Sequence, residues 1–131
     1  MTRRKNLQAF ATAAMAASSA QTAAAAGTPI QLHVDLDVDP AKEKDMLNNF
    51  RTIFQPAIRK QPGFVEVKLL KLEKVLGGKG PANTSYRLLI GFQTEDQRVK
   101  WVATAEHQKA WPKIEENLRG AKYSAVLFNI A

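Results

Sequence analysis

Between Ile30 and Val38 every second side chain is apolar. Ile30, Leu32, Val34, Leu36 and Val38 alternate with Gln31, His33, Asp35 and Asp37. This two-residue period marks a strand that buries one face and wets the other. Such a strand cannot stand alone, because its apolar face needs a covering layer and its backbone needs neighbouring strands. The next residues supply the layer. Asp39 offers an N-cap, Pro40 fits the first helical position, and Met46, Leu47, Phe50, Ile53, Phe54, Ala57 and Ile58 recur at helical spacing. The pattern predicts a helix that packs its stripe on the sheet. It should kink or restart at Pro56 and end at Gln61-Pro62-Gly63.

Phe64 to Leu76 is rich in Val and Leu and reads as a long second strand, and Ser85 to Gln93 as a third. The Gly77-Gly78-Lys79-Gly80-Pro81 loop between them predicts an antiparallel hairpin. Glycines in that number can cradle phosphate, but here no helix N-terminus follows them, so a hairpin tip is the expectation. Thr94-Glu95-Asp96-Gln97 has the form of a capping box and starts a second helix. After a break near Thr104, a third helix carries His107, Ala110, Trp111, Ile114 and Leu118 on one stripe until Gly120 stops it. Tyr123 to Ile130 is the last strand. The order βαββαβ is that of an α+β ferredoxin-like plait.

The first 26 residues do not belong to that pattern. Thr2-Arg3-Arg4-Lys5 is basic, Phe10 to Ala20 is dominated by alanine, and Ala24 and Ala26 precede Gly27. This is the grammar of a signal peptide cleaved after Ala26, which leaves residues 27–131 as the mature domain, periplasmic or secreted. Thr2-Arg3-Arg4 resembles the start of a twin-arginine export signal but departs from it at Asn6 and Gln8. The other reading of these residues is a disordered alanine-rich tail. The apolar stretch is too short and too poor in Leu, Ile and Val to span a bilayer, so no membrane association is expected after cleavage.

Composition narrows the chemistry. The formal charge is +7, but without Arg3, Arg4 and Lys5 the 19 basic side chains fall to 16 against 12 acidic, a net of +4. That is too mild for a phosphate-binding surface, and no nucleic-acid partner is expected. The absence of cysteine excludes disulfides, thiolate nucleophiles and cysteine-ligated metals. His33 and His107 are the only imidazoles and no HxxxH or HExxH occurs, so no metal site is expected.

Three patches carry a family likeness. Pro56-Ala57-Ile58-Arg59-Lys60-Gln61-Pro62-Gly63-Phe64, Leu88-Leu89-Ile90-Gly91-Phe92 and Trp101 through Trp111 resemble the antibiotic biosynthesis monooxygenase domain family, over about residues 30–130. The resemblance implies a dimeric α+β barrel, in which two plaits of a homodimer pair sheet to sheet. It also implies a ligand held between sheet and helices, here a small hydrophobic or aromatic molecule. Some members oxidise polycyclic phenols to quinones with oxygen and no cofactor, and others trim haem. A cofactor-independent monooxygenase acting on a planar phenol or quinol is therefore one expectation. The other is a non-enzymatic module that binds a hydrophobic small molecule or haem.

Within that frame His107 is the candidate base, since an imidazole of pKa about 6.5 can take a phenolic proton. A ring that caps or hydrogen-bonds neighbouring backbone is the competing reading. Trp101 and Trp111 could stack on a flat substrate or simply fill core. Tyr86, on the third strand, could donate to a bound oxygen atom or leave its hydroxyl at the rim. The haem-trimming branch resembles this chain at Trp101, but its iron-binding histidine falls at Trp111 and its strand asparagine near Val34. Haem degradation by that route is disfavoured. His33, on the wet face of its strand, is a poor substitute ligand.

Overall fold

A computed structural model describes residues 27–131. Segment 1–26, with the expected signal peptide and its cleavage site, lies outside the described residues. Strand β1 (Ile30–Val38) occupies the middle of a four-stranded antiparallel sheet. It pairs on one side with β3 (Tyr86–Phe92), placing Ile30 opposite Phe92 and Leu36 opposite Tyr86. On its other side is β4 (Leu118–Asn129), and β2 (Phe64–Lys71) pairs with the far side of β3. The order β2-β3-β1-β4 is the ferredoxin-like plait. Central placement explains the alternation of β1, whose Ile30, Val34, Leu36 and Val38 are all buried against the helical layer.

The Asp39 carboxylate accepts the Ala41 N–H at 2.9 Å and opens a 3-10 turn (Pro40–Lys42) that leads into α1 (Glu43–Asn49). The expected disturbance at Pro56 takes the form of a π-helical turn over Phe50–Phe54, after which α2 (Gln55–Arg59) resumes. Pro56 has no N–H to return to the carbonyl four residues back, and the wider turn absorbs the loss while Gln55 N–H reaches Phe50 C=O. Phe50 and Phe54 emerge on the buried side.

Two expected boundaries are corrected. The second strand ends at Lys71, not Leu76. β3 begins at Tyr86, so beyond the Leu72 N–H bond to Ser85 C=O the run finds no ladder partner, and Leu76 stands 87% exposed. The third helix does not reach Leu118. After α3 (Glu95–Ala103) come α4 (Ala105–Ala110) and α5 (Pro112–Glu115), and Leu118 is instead the first residue of β4, opposite Val38. Gly120 (φ 61°) and Ala121 (φ 54°) then form an irregular step within the strand before Tyr123 pairs with Leu36. Gly120 therefore bends a strand; it does not stop a helix. Among the described residues no helix is long and apolar enough to cross a membrane.

Candidate functional site

A cavity of about 240 Å³ lies between the sheet and the helices. Leu32 and Val34 of β1, Leu88 and Ile90 of β3 and Ala125 of β4 form its sheet side, while Phe54, Trp101 and Trp111 close it from the helical side. His107 and Arg98 complete the wall, so the cavity brings together three of the expected site residues: His107, Trp101 and Trp111.

Their placement depends on one threonine. Thr104 adopts an extended backbone (φ −73°, ψ 153°) that ends α3 and starts α4. Its hydroxyl donates to Trp101 C=O at 2.7 Å and accepts the His107 N–H at 3.1 Å. The two rings are thereby held edge to face, with centroids 5.0 Å apart. Trp101 is 2% exposed and packs edge-on against Phe54, with centroids 5.9 Å apart. Trp111 lies edge-on to both Phe54 and Tyr123.

At the start of α3, Thr94 accepts the Gln97 N–H at 3.2 Å, but the reciprocal half of the expected capping box does not form. The Gln97 side chain packs instead against Gly63, and its Oε1 is buried without a hydrogen-bond partner among the described residues.

Among the described residues His107 makes no side-chain bond to backbone, and its Nδ1 is buried with no partner. Burial, then the positive charge of Arg98, lower its pKa below the ordinary 6.5, so the ring is neutral near pH 7. Arg98 makes a two-pronged pair with Glu95, Nε to Oε1 at 2.7 Å and a terminal nitrogen to Oε2 at 2.6 Å, and its side chain is only 20% exposed. Arg98 and Tyr123 were not legible as site residues. For Arg98 the available signal was its position three residues before Trp101, on the same side of α3.

Tyr86 does not line the cavity. It is 4% exposed, its hydroxyl donates to Glu43 Oε2 at 2.5 Å, and Lys71 Nζ lies 3.0 Å from the same carboxylate. Burial, then the Glu43 carboxylate, push the phenol up to about 12. It therefore ties α1 to the sheet, and its proton is already committed. His33 lies on the opposite sheet face, with Nε2 2.8 Å from Gln31 Oε1 and its ring edge-on to Phe128. That face also carries a larger open cleft of about 540 Å³, walled mainly by charged side chains, Asp35, Asp37, Arg119 and Lys122, with Tyr123. Among the described residues no group of three or more His, Asp or Glu is placed to hold a metal ion.

No protein-family profile matches the chain, and no curated protein does. Solved structures do. A provisionally described antibiotic biosynthesis monooxygenase from Caulobacter crescentus superposes with a TM-score of 0.64 at 15% identity, over 80% of this chain and 92% of that one. SnoaB, a cofactor-independent oxygenase from Streptomyces nogalater solved in a mutant form, gives 0.61 at 16%, over 77% and 91%. A dimeric ferredoxin-like protein of unknown function from Jannaschia gives 0.67 at 14%, over 78% and 99%. The chain therefore has the ferredoxin-like fold in the form found among antibiotic biosynthesis monooxygenase-like proteins.

Proposed function

We propose that the protein is a cofactor-independent monooxygenase that oxidises a planar phenol or quinol in the cavity beneath α3 and α4. The observation that carries this reading is the His107 imidazole, its Nδ1 without a partner among the described residues, in the wall of an apolar, tryptophan-lidded cavity whose burial favours the neutral ring. At about 240 Å³ the space exceeds the ~150 Å³ cavity known to hold benzene, which suits one or two fused rings. His107 would take the phenolic proton, and the electron-rich anion would react with oxygen. In the monooxygenation of a phenol, the ring C–H opposite the hydroxyl becomes a carbonyl, the second oxygen atom leaves as water, and the substrate itself supplies the electrons. The likeness to SnoaB supports a fold able to do this without a cofactor.

The protein acts as a homodimer joined through the sheet face away from the helices, and it reaches the periplasm or the medium after cleavage near Gly27. An exported chain whose mass begins near that residue is the expected result, and full-length protein in the cytoplasm the contrary one. The catalytic reading is tested by incubating the mature protein with a panel of phenols and hydroquinones under oxygen and following quinone absorbance. The wild type should exceed buffer on at least one compound, and His107→Ala should lose roughly 10²–10⁴ of that rate. Rates equal to buffer across the panel would leave the cavity as a binding site for a hydrophobic ligand.

A further inference from the structure

We infer that Arg98 binds the oxygen anion of the ligand, so that the cavity selects an ionisable hydroxyarene over an equally flat neutral molecule. The inference rests on the cavity being the ligand site, and it adds the chemical class the site prefers. Among the described residues, Arg98 is the one formally charged group on the cavity wall. Glu95 takes its Nε and one terminal nitrogen, which fixes the guanidinium plane. The other terminal nitrogen has no hydrogen-bond partner among the described residues, and the side chain that carries it lines an apolar space.

Proton energetics call for such a donor. A simple phenol has a pKa near 10, whereas His107 sits below 6.5, so unaided transfer between them is uphill by more than three powers of ten. A cation held beside the developing anion in a water-poor site lowers that barrier. In this step the O–H bond breaks, its proton passes to the free ring nitrogen of His107, and the oxygen lone pair accepts from Arg98. No carbon is oxidised, and no other reactant is required. Arg98 on α3, paired with Glu95, and the Tyr123 phenol on β4 line the same cavity as His107, while Glu106 on its own helix is turned away to Lys60 and Gln61.

The test uses 4-nitrophenol, whose absorbance distinguishes phenol from phenolate, and nitrobenzene, the same flat ring without the hydroxyl. On the wild-type mature protein, bound 4-nitrophenol should titrate at least one unit lower than in buffer and bind at least tenfold tighter than nitrobenzene. Arg98→Met should lose both effects. Arg98→Lys, which keeps the charge but not the fork, should retain part of the shift. An unshifted titration, equal binding of the two compounds, or binding of neither at millimolar concentration overturns the inference, and these comparisons need only the wild type. If the Arg98-dependent shift appears but no compound is oxidised, the ligand preference stands and the catalytic reading falls. Oxidation that depends on His107 but is unchanged in Arg98→Met has the reverse consequence.

Discussion

At the scale of single residues, the same chemistry takes different roles according to what surrounds it. Tyr86 and Leu88 share the inward parity of β3, and period two gives that parity from sequence alone. It does not give which stretch of the strand faces empty space. Tyr86 meets Glu43 on α1, while Leu88 faces the cavity. Replacing Tyr86 by Phe removes a buried hydroxyl and one bond to a carboxylate, so a loss of about 1–3 kcal/mol in denaturant unfolding is expected. Linkage gives a second signature. The folded phenol holds its proton to about pH 12 while the unfolded one releases it near 10, so this stabilisation is intact below pH 10 and fades between 10 and 12. The stability difference between wild type and Tyr86→Phe should shrink across that window. A constant difference would mean that the hydroxyl is not held by Glu43. His107 was legible because it falls four residues before Trp111 on a stripe. Arg98 was not, because a charge on a helix otherwise reads as solvated until a neighbouring layer encloses it.

At the scale of elements, β1, announced by alternation, lies at Ile30–Val38, and the third strand, expected over Ser85–Gln93, lies within a residue of that at each end, at Tyr86–Phe92. The second strand, read from apolar content, is shorter than expected. Leu72, Val75 and Leu76 look strand-like, but nothing opposite them continues the ladder, and pairing is not a local property. Leu118 fits a helical stripe numerically, yet Pro112 and the partner position at Val38 draw it into the sheet. The joint between α2 and β2 tests how tightly the elements are fixed. Gly63 has φ +82°, and a Cβ there would stand 2.0 Å from Gln97 Oε1. Gly63→Ala therefore meets both backbone strain and a clash with α3. A loss of about 1–3 kcal/mol is expected in chemical denaturation, and a neutral effect would show that the joint yields.

At the scale of the whole molecule, the plait followed from element order, because few topologies connect βαββαβ without crossing or left-handed connections. The cavity did not follow, since it is a gap left by packing and no pattern of side chains records a gap. The sheet face away from the helices sets His33, Leu89 and Val126 beside the Asp35–Arg87 ion pair, and Val126 and Phe128 are each half exposed. A sheet-to-sheet homodimer would cover this surface, and obligate interfaces of about 2,000 Å² or more make the protomer unstable alone. Light scattering at micromolar concentration should give twice the protomer mass for wild type, with Phe128→Glu shifted to monomer. A monomer whose melting does not depend on concentration would contradict the dimer. In the proposed reaction His107, kept neutral in the cavity, takes the proton that starts oxidation. That step is tested most directly by the pH dependence of oxygen uptake, kcat/KM, on the best phenol or quinol of the panel. Wild type should lose activity on the acid side along a single titration below pH 6.5, as the lowered pKa of His107 requires, and His107→Gln should lack that limb at a much lower rate. An acid limb unchanged in His107→Gln, or no uptake above buffer at any pH, would contradict it.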